Sequence, residues 1–201
     1  MAIDVYFNDI HKVIIEQIKH AQQEILIAVA WLKDRDIYQA LIERAQQKIK
    51  IEIILANHEF NKNNDYSDTA LKKLINLGSE IFYIGENGDH RRSNLMHHKF
   101  CIIDKNTVIN GSYNWTFKAR YNHENIMLAK NETEFSNKFL QEFEKIRPNS
   151  QLKINEHNQL IKVDIQAIVA KFSQLNSATE VNNTTSANIC DVNDTIAKFN
   201  F

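Results

Sequence analysis

Three short, nearly unbroken apolar runs constrain this chain more than anything else in it: Glu24 to Trp31, Ile51 to Ala56 and Ile81 to Ile84. A strand with one face in water alternates apolar and polar residues, whereas a strand covered on both faces reads as a continuous run. Stretches with helical spacing separate the runs. Residues 10–22 place Ile10, Val13, Ile14, Ile18 and Ala21 on one stripe. Asp34 or Asp36 can cap a second helix carrying Ile37, Ala40, Leu41 and Ala45. Asp68 can cap a third, carrying Leu71, Leu74 and Ile75 and closing at Gly78. Strands alternating with helices in this way predict an α/β fold with a largely parallel sheet sandwiched between helices.

The pattern then changes. His97 to Asp104 and Thr107 to Tyr113 read as two strands joined by a turn at Lys105-Asn106, which is a hairpin. His123 to Ala129 reads as a further strand. Phe135, Phe139, Phe143 and Ile146 form a helical stripe that stops just before Pro148. Beyond it, Ile165, Ile168, Val169 and Phe172 fit one amphipathic helix. Residues 175–188 are rich in Asn, Thr and Ser like a linker, and residues 196–201 end the chain in an apolar tail. The expected organisation is a domain over 1–148 and an extension over 149–201. No internal repeat is visible.

Charge narrows the partners. The net charge is −1, so the chain is not an indiscriminate polyanion binder, which gains affinity by neutralising phosphates. No basic and apolar leader opens the sequence, and no apolar run reaches the roughly 20 residues that cross a bilayer. A cytoplasmic location without stable membrane association is the expectation. Cys101 and Cys190 lie far apart and suggest no disulfide framework.

One stretch carries chemistry: Met96-His97-His98-Lys99, Asp104, and then Asn110-Gly111-Ser112-Tyr113-Asn114-Trp115. Alternate residues of a strand share a face, so His97 lies with Lys99 and Ser112 with Asn114. Hairpin pairing can bring both pairs into one pocket. Asp104, at odd offset, points the other way and suits a structural role. A phosphodiester is an anion, and Lys99, Ser112 and Asn114 supply charge and neutral donors for its oxygens. A neutral imidazole at His97 can attack phosphorus. A carboxylate on the ring's other nitrogen would fix its tautomer, and Glu124 is the candidate. Arg91 and Arg92, just before the motif, are candidate substrate contacts.

Blander readings exist for each residue alone. A single histidine is usually a satisfied core histidine, and Ser112 and Asn114 are ordinary turn residues. His98-x-x-Cys101 lacks a second ligand pair for zinc, so neither a metal nor a cofactor is expected. Trp31 and Trp115 read as core packing rather than base-stacking platforms.

Taken together, His97, Lys99, Asp104, Gly111, Ser112 and Asn114 reproduce without a gap the HKD signature of the phospholipase D superfamily. The chain resembles that family over roughly residues 5–147, and the resemblance implies a phospholipase D-like fold with one HKD motif per chain. It further implies that His97 is the histidine forming a phosphohistidine, that Lys99, Ser112 and Asn114 bind phosphate, that Glu124 orients the histidine, and that Asp104 and Gly111 are structural.

The mechanism implied needs two histidines, one to attack and one to protonate the leaving oxygen. No other histidine lies in a second HKD context, so a homodimer with both His97 residues in one pocket is expected, as an isologous interface permits. The expected activity is metal-independent phosphodiester hydrolysis, first as an endonuclease on DNA or RNA. Small single-motif members of the superfamily include such enzymes, and Arg91, Arg92, Lys99, Lys105, Lys118 and Arg120 face one acid, Asp104, in that stretch. The alternatives are a lipid phosphodiesterase, or a phosphate-binding or regulatory subunit of a larger complex. The extension leaves room for a protein partner.

Overall fold

The computed structural model describes residues 2–61, 65–85, 95–148 and 150–171. The chain forms two compact units that divide between Pro148 and Asn149, and each is treated by itself. In the first, strand β1 (Ala2–Tyr6) leads to helix α1 (Ile10–His20), β2 (Glu24–Val29), α2 (Arg35–Gln46), β3 (Lys50–Ala56), α3 (Asp65–Asn76) and β4 (Glu80–Ile84). Then follow β5 (Lys99–Ile103), β6 (Thr107–Gly111), β7 (Ile126–Lys130) and α4 (Thr133–Ile146).

The seven strands form one sheet in the order β1-β7-β6-β5-β2-β3-β4. β2, β3 and β4 are parallel neighbours, and the remaining neighbours pair antiparallel. The hairpin accounts for the mixture. Most strands, β1, β2, β3, β4 and β6, still run the same way, while β5 and β7 run back. The expected sheet is thus present, and its parallel pairing is confined to β2, β3 and β4, where helical crossovers join the strands.

Both faces are covered because the central strands are apolar on both. Leu26, Ile54, Phe82, Phe100 and Ile102 face Phe143 of α4, with Phe139 and Ile146 beside it. The alternate residues Ile25, Ile27, Ile53 and Ile81 are equally buried, and α1, α2 and α3 pack side by side. Each such side chain contributes about 1.5–3 kcal/mol of burial. Cys101 is buried in this core, and burial pushes its thiol up.

Local chemistry explains most boundaries. Asp34 accepts from the backbone N–H of Asp36 and Ile37 and caps α2. Gly78 closes α3 at φ 96°. α3 begins about a turn before the expected Asp68 cap, and in that added turn Tyr66 packs against Tyr38, ring centroids 6.2 Å apart. The hairpin turn spans Asp104, Lys105 and Asn106, with Asp104 and Lys105 both at positive φ.

In the second unit, β8 (Ser150–Ile154) and β9 (Leu160–Asp164) form an antiparallel hairpin that the sequence pattern did not announce. Residues 165–171 are helical. Phe172, the polar linker, Cys190 and the apolar tail lie outside the described residues. No described helix is long and apolar enough to cross a membrane.

Candidate active site

Every central motif residue except Asp104 gathers at one end of the sheet. β2, β3 and β4 finish there, β5 begins there, β6 ends there and β7 begins there. The register makes this unavoidable: Val29 pairs with Lys99, Phe100 with Asn110, and Gly111 with Ile126. The C-terminal ends of parallel strands are where open α/β sheets hold ligands.

His97 stands two residues before β5. The peptide beyond it is fixed by Ala30, whose N–H donates to the His98 carbonyl at 2.8 Å. The His97 side chain is exposed, and its ring meets Trp31 edge-on at 5.8 Å. Lys99 is buried at 8% exposure. Its Nζ lies 2.9 Å from His97 Nδ1 and donates to the His97 carbonyl at 2.6 Å. The shared face expected of these two residues is therefore a direct contact.

Burial, then the charges of Lys99 and His98, lower the pKa of His97 below the ordinary 6.5. Burial also lowers Lys99 to about 8, against an opposing pull from Glu124. A charged Lys99 can only donate, so Nδ1 accepts and the neutral ring carries its proton on Nε2. In this tautomer the Nε2 lone pair is not free while Lys99 holds Nδ1.

Ser112 follows β6, and its N–H donates to the Asn125 carbonyl at 3.1 Å. Its hydroxyl donates to Glu124 and accepts from the Asn125 N–H at 3.2 Å. Asn122 Nδ2 donates to the other Glu124 oxygen at 3.4 Å. The expected bond between Glu124 and the His97 ring is not made within the chain. Glu124 stands two residues before β7, where the Ser112 hydroxyl holds it, and Lys99 holds Nδ1 of His97. Asn114 Oδ1 is buried without a partner, an acceptor left open within the motif.

Asp104 lies at the far end of the hairpin. Its carboxylate accepts from the N–H groups of Gln22, Gln23 and Glu24 at 2.9, 2.8 and 3.0 Å, tying the turn to the start of β2. Gly111 is required by close approach, since a Cβ there would lie 2.1 Å from the Asn125 carbonyl oxygen.

Two expectations need correction. The local basic field is weaker than the residue count suggests. Arg120 is bound to Asp34 and Asp36 at 2.6 Å each. Lys105 is at the far end of the sheet, 3.7 Å from Glu24, and Arg91 and Arg92 lie outside the described residues. Trp31, read as core, is only half-buried, and besides His97 its ring meets His58 and Phe60. Its place just past the end of a parallel strand was the available signal. Trp115 is core as expected, at 1% exposure.

Asn61 was not foreseen. Its Nδ2 donates to the carbonyls of Ala30 and Ala56 at 2.6 and 2.8 Å, and its Oδ1 accepts from Leu32 N–H at 3.3 Å. It pins the loops after β2 and β3 that carry Trp31 and His58. No pattern in the sequence marks it. Among the described residues no cluster of His, Cys, Asp or Glu could hold a metal ion.

Fold and cluster together define a class: an α/β domain that presents a histidine-lysine pair and a serine-asparagine pair from one hairpin at the ends of its parallel strands. A family described as the PLD-like domain of cardiolipin synthase matches residues 14–147. This chain belongs to that phospholipase D-like family. It is 49% identical over 51 residues to mouse mitochondrial cardiolipin hydrolase, a match covering 25% of this chain and 23% of that protein. It is 28% identical over 120 residues to phospholipase D of Rickettsia prowazekii, covering 59% and 54%. The matches thus span from under a quarter to just over half of these relatives. Among solved structures, the phospholipase D family member Nuc from Salmonella typhimurium superposes with a TM-score of 0.62 at 20% identity, covering 81% of this chain and 97% of Nuc.

Proposed function

We propose that the chain is a phosphodiester hydrolase that cleaves nucleic acid through a phosphohistidine at His97, in a site completed by a second copy. The observation that carries the reading is the contact of Lys99 Nζ with His97 Nδ1, at the strand ends that also hold Ser112 and Asn114. Lys99 turns from the ring to a phosphoryl oxygen, and Ser112 and Asn114 donate to the others. An imidazole nitrogen bonds phosphorus, and the P–O bond to the leaving group breaks. The leaving oxygen takes its proton from the partner's imidazole. Water then attacks phosphorus, giving a proton to that imidazole, and the P–N bond breaks. Arg91 and Arg92 precede the site in sequence and are assigned to the incoming strand.

A lipid phosphodiesterase is the second reading, favoured by one feature. An apolar cavity of about 450 Å³, lined by Ile84, Leu95, Met96 and Ile146, opens beside His97 and His98, and the relatives above carry lipid-cleaving names. The two readings separate on a panel of labelled DNA, RNA and phosphatidyl substrates, each assayed with EDTA. We expect nucleic-acid cleavage that survives chelation and is abolished by His97→Asn. Turnover only with added magnesium, or full activity in His97→Asn, refutes the mechanism; turnover of phosphatidyl substrates alone refutes the nuclease.

A further inference from the structure

We infer that a row of exposed aromatic rings running away from His97 is a stacking platform for the unpaired bases of a single-stranded polynucleotide. The inference rests on the nuclease reading and adds to it the strandedness of the substrate.

The row begins at the candidate nucleophile. The His97 ring touches Trp31 at 5.8 Å, and Trp31 touches Phe60 at 5.3 Å. Lys33 lies over Phe60, its Nζ 4.3 Å from the ring centroid. Lys33 also lines a cavity of about 420 Å³ that Phe117 lines as well. Phe117 in turn meets Tyr121 edge-on at 5.7 Å. Phe60, Phe117 and Tyr121 are 43%, 56% and 77% exposed.

Large exposed rings grouped near one another point to an interaction site. Two occupants of apolar character are conceivable, a base or a second protein surface, and the charges decide between them. Cations accompany the rings: Lys33 over Phe60, Arg35 on the cavity wall, and Lys118 exposed beside Phe117. Asp36, on the same wall, is already engaged by Arg120. Rings interleaved with cations suit a strand whose bases stack while its phosphates stay paired. Duplex bases are stacked on one another and cannot reach such rings, so the platform selects unpaired strands. With the scissile phosphate at His97, flanking bases fall on Trp31 and Phe60.

The test is binding of a fluorescent oligonucleotide to the full chain carrying His97→Asn, so that nothing is cleaved. The oligonucleotide is used single-stranded and as a duplex, and anisotropy gives Kd. Phe60→Ala and Phe117→Ala should each weaken single-strand binding about tenfold, in the range of one lost base stack. Phe60→Tyr should restore it, and duplex binding should be weaker and indifferent to the rings. Binding should also quench Trp31 fluorescence, while the emission of buried Trp115 stays unchanged.

Equal binding by the ring variants, or equal losses on single strand and duplex, overturns the platform. So does a shift of the ring variants to monomer on sizing with binding intact, which would make the row a subunit contact. Failure of the nuclease reading appears separately: ring-dependent binding with no cleavage by the wild-type chain leaves the platform standing and removes the hydrolase.

Discussion

Substituting Gly111 by Ala tests how closely fold and candidate site are joined. The new Cβ would stand 2.1 Å from the Asn125 carbonyl oxygen and 2.8 Å from Ile126 Cα, where ordinary contact begins at 3.4 Å. Both obstacles are backbone, so β6 and β7 must part by about 1 Å or more, and overfilling of this kind costs about 1–3 kcal/mol. Separation also breaks the bond from Ser112 N–H to the Asn125 carbonyl, worth about 1 kcal/mol. The expected loss is about 2–4 kcal/mol, or about 4–16 °C in Tm for a domain of this size. The same displacement carries Ser112 away from Glu124. A shift of about 1 Å at a reacting centre costs on the order of a hundredfold in rate. Urea unfolding followed by tryptophan fluorescence gives the first number, and kcat/KM at a temperature where both chains are folded gives the second. Gly78→Ala is the control: it strains a φ of 96° with nothing within 4 Å, so it should cost about 1 kcal/mol and leave turnover intact. A Gly111→Ala chain as stable and active as the wild type would refute the reasoning.

Asp104→Ala removes the acceptor of three backbone N–H groups and places alanine at φ 50°. It should cost about 2–3 kcal/mol in urea unfolding, with Asp104→Asn losing less; activity lost at unchanged stability would show a chemical role instead. Arg120→Leu leaves Asp34 buried and unpaired and should cost about 3 kcal/mol. Adding Asp34→Asn should return part of that loss, and no recovery would mean the ion pair is not the cause. For pH dependence, one His97 imidazole of the pair must be neutral to attack and the other protonated to serve the leaving oxygen, so activity peaks near a His97 pKa below 6.5 and falls as pH climbs above it. The phosphate clamp needs charged Lys99, so the fall steepens near its value of about 8. A rate that keeps climbing well past the Lys99 value would exclude both requirements.

What the sequence made legible follows from physics of short range. The runs that became β2, β3 and β4 were readable because burial on both faces leaves no freedom of composition. His97, Lys99, Ser112 and Asn114 were readable because one hairpin fixes their spacing. β1 was not, since Ile3 and Val5 belong to a half-exposed edge strand with no strong pattern. The pairing of Arg120 with Asp34 spans 86 positions, and nothing local in either residue announces it. Asn61 is likewise defined by what it holds, the loops after β2 and β3, and not by its neighbours. Trp31 was misjudged because an aromatic residue ending an apolar run looks the same whether it enters the core or borders a site.

The proposed reaction asks for more than one copy supplies, and the geometry shows where it falls short. A leaving alkoxide needs a proton, and within the described residues the group bonded to the His97 ring is Lys99, which the proposed reaction assigns to the phosphate. His98 bonds Glu142 at 3.3 Å, and the His58 ring packs on Trp31 at 6.2 Å. An isologous pair would bring a second His97 opposite the first. Refolding wild-type chain with an equal amount of His97→Asn chain separates the cases. If both rings serve one site, mixed dimers are dead and activity per wild-type chain falls by half. If one chain suffices, activity per wild-type chain is unchanged, and the second imidazole must be abandoned in favour of Lys99 as the proton donor.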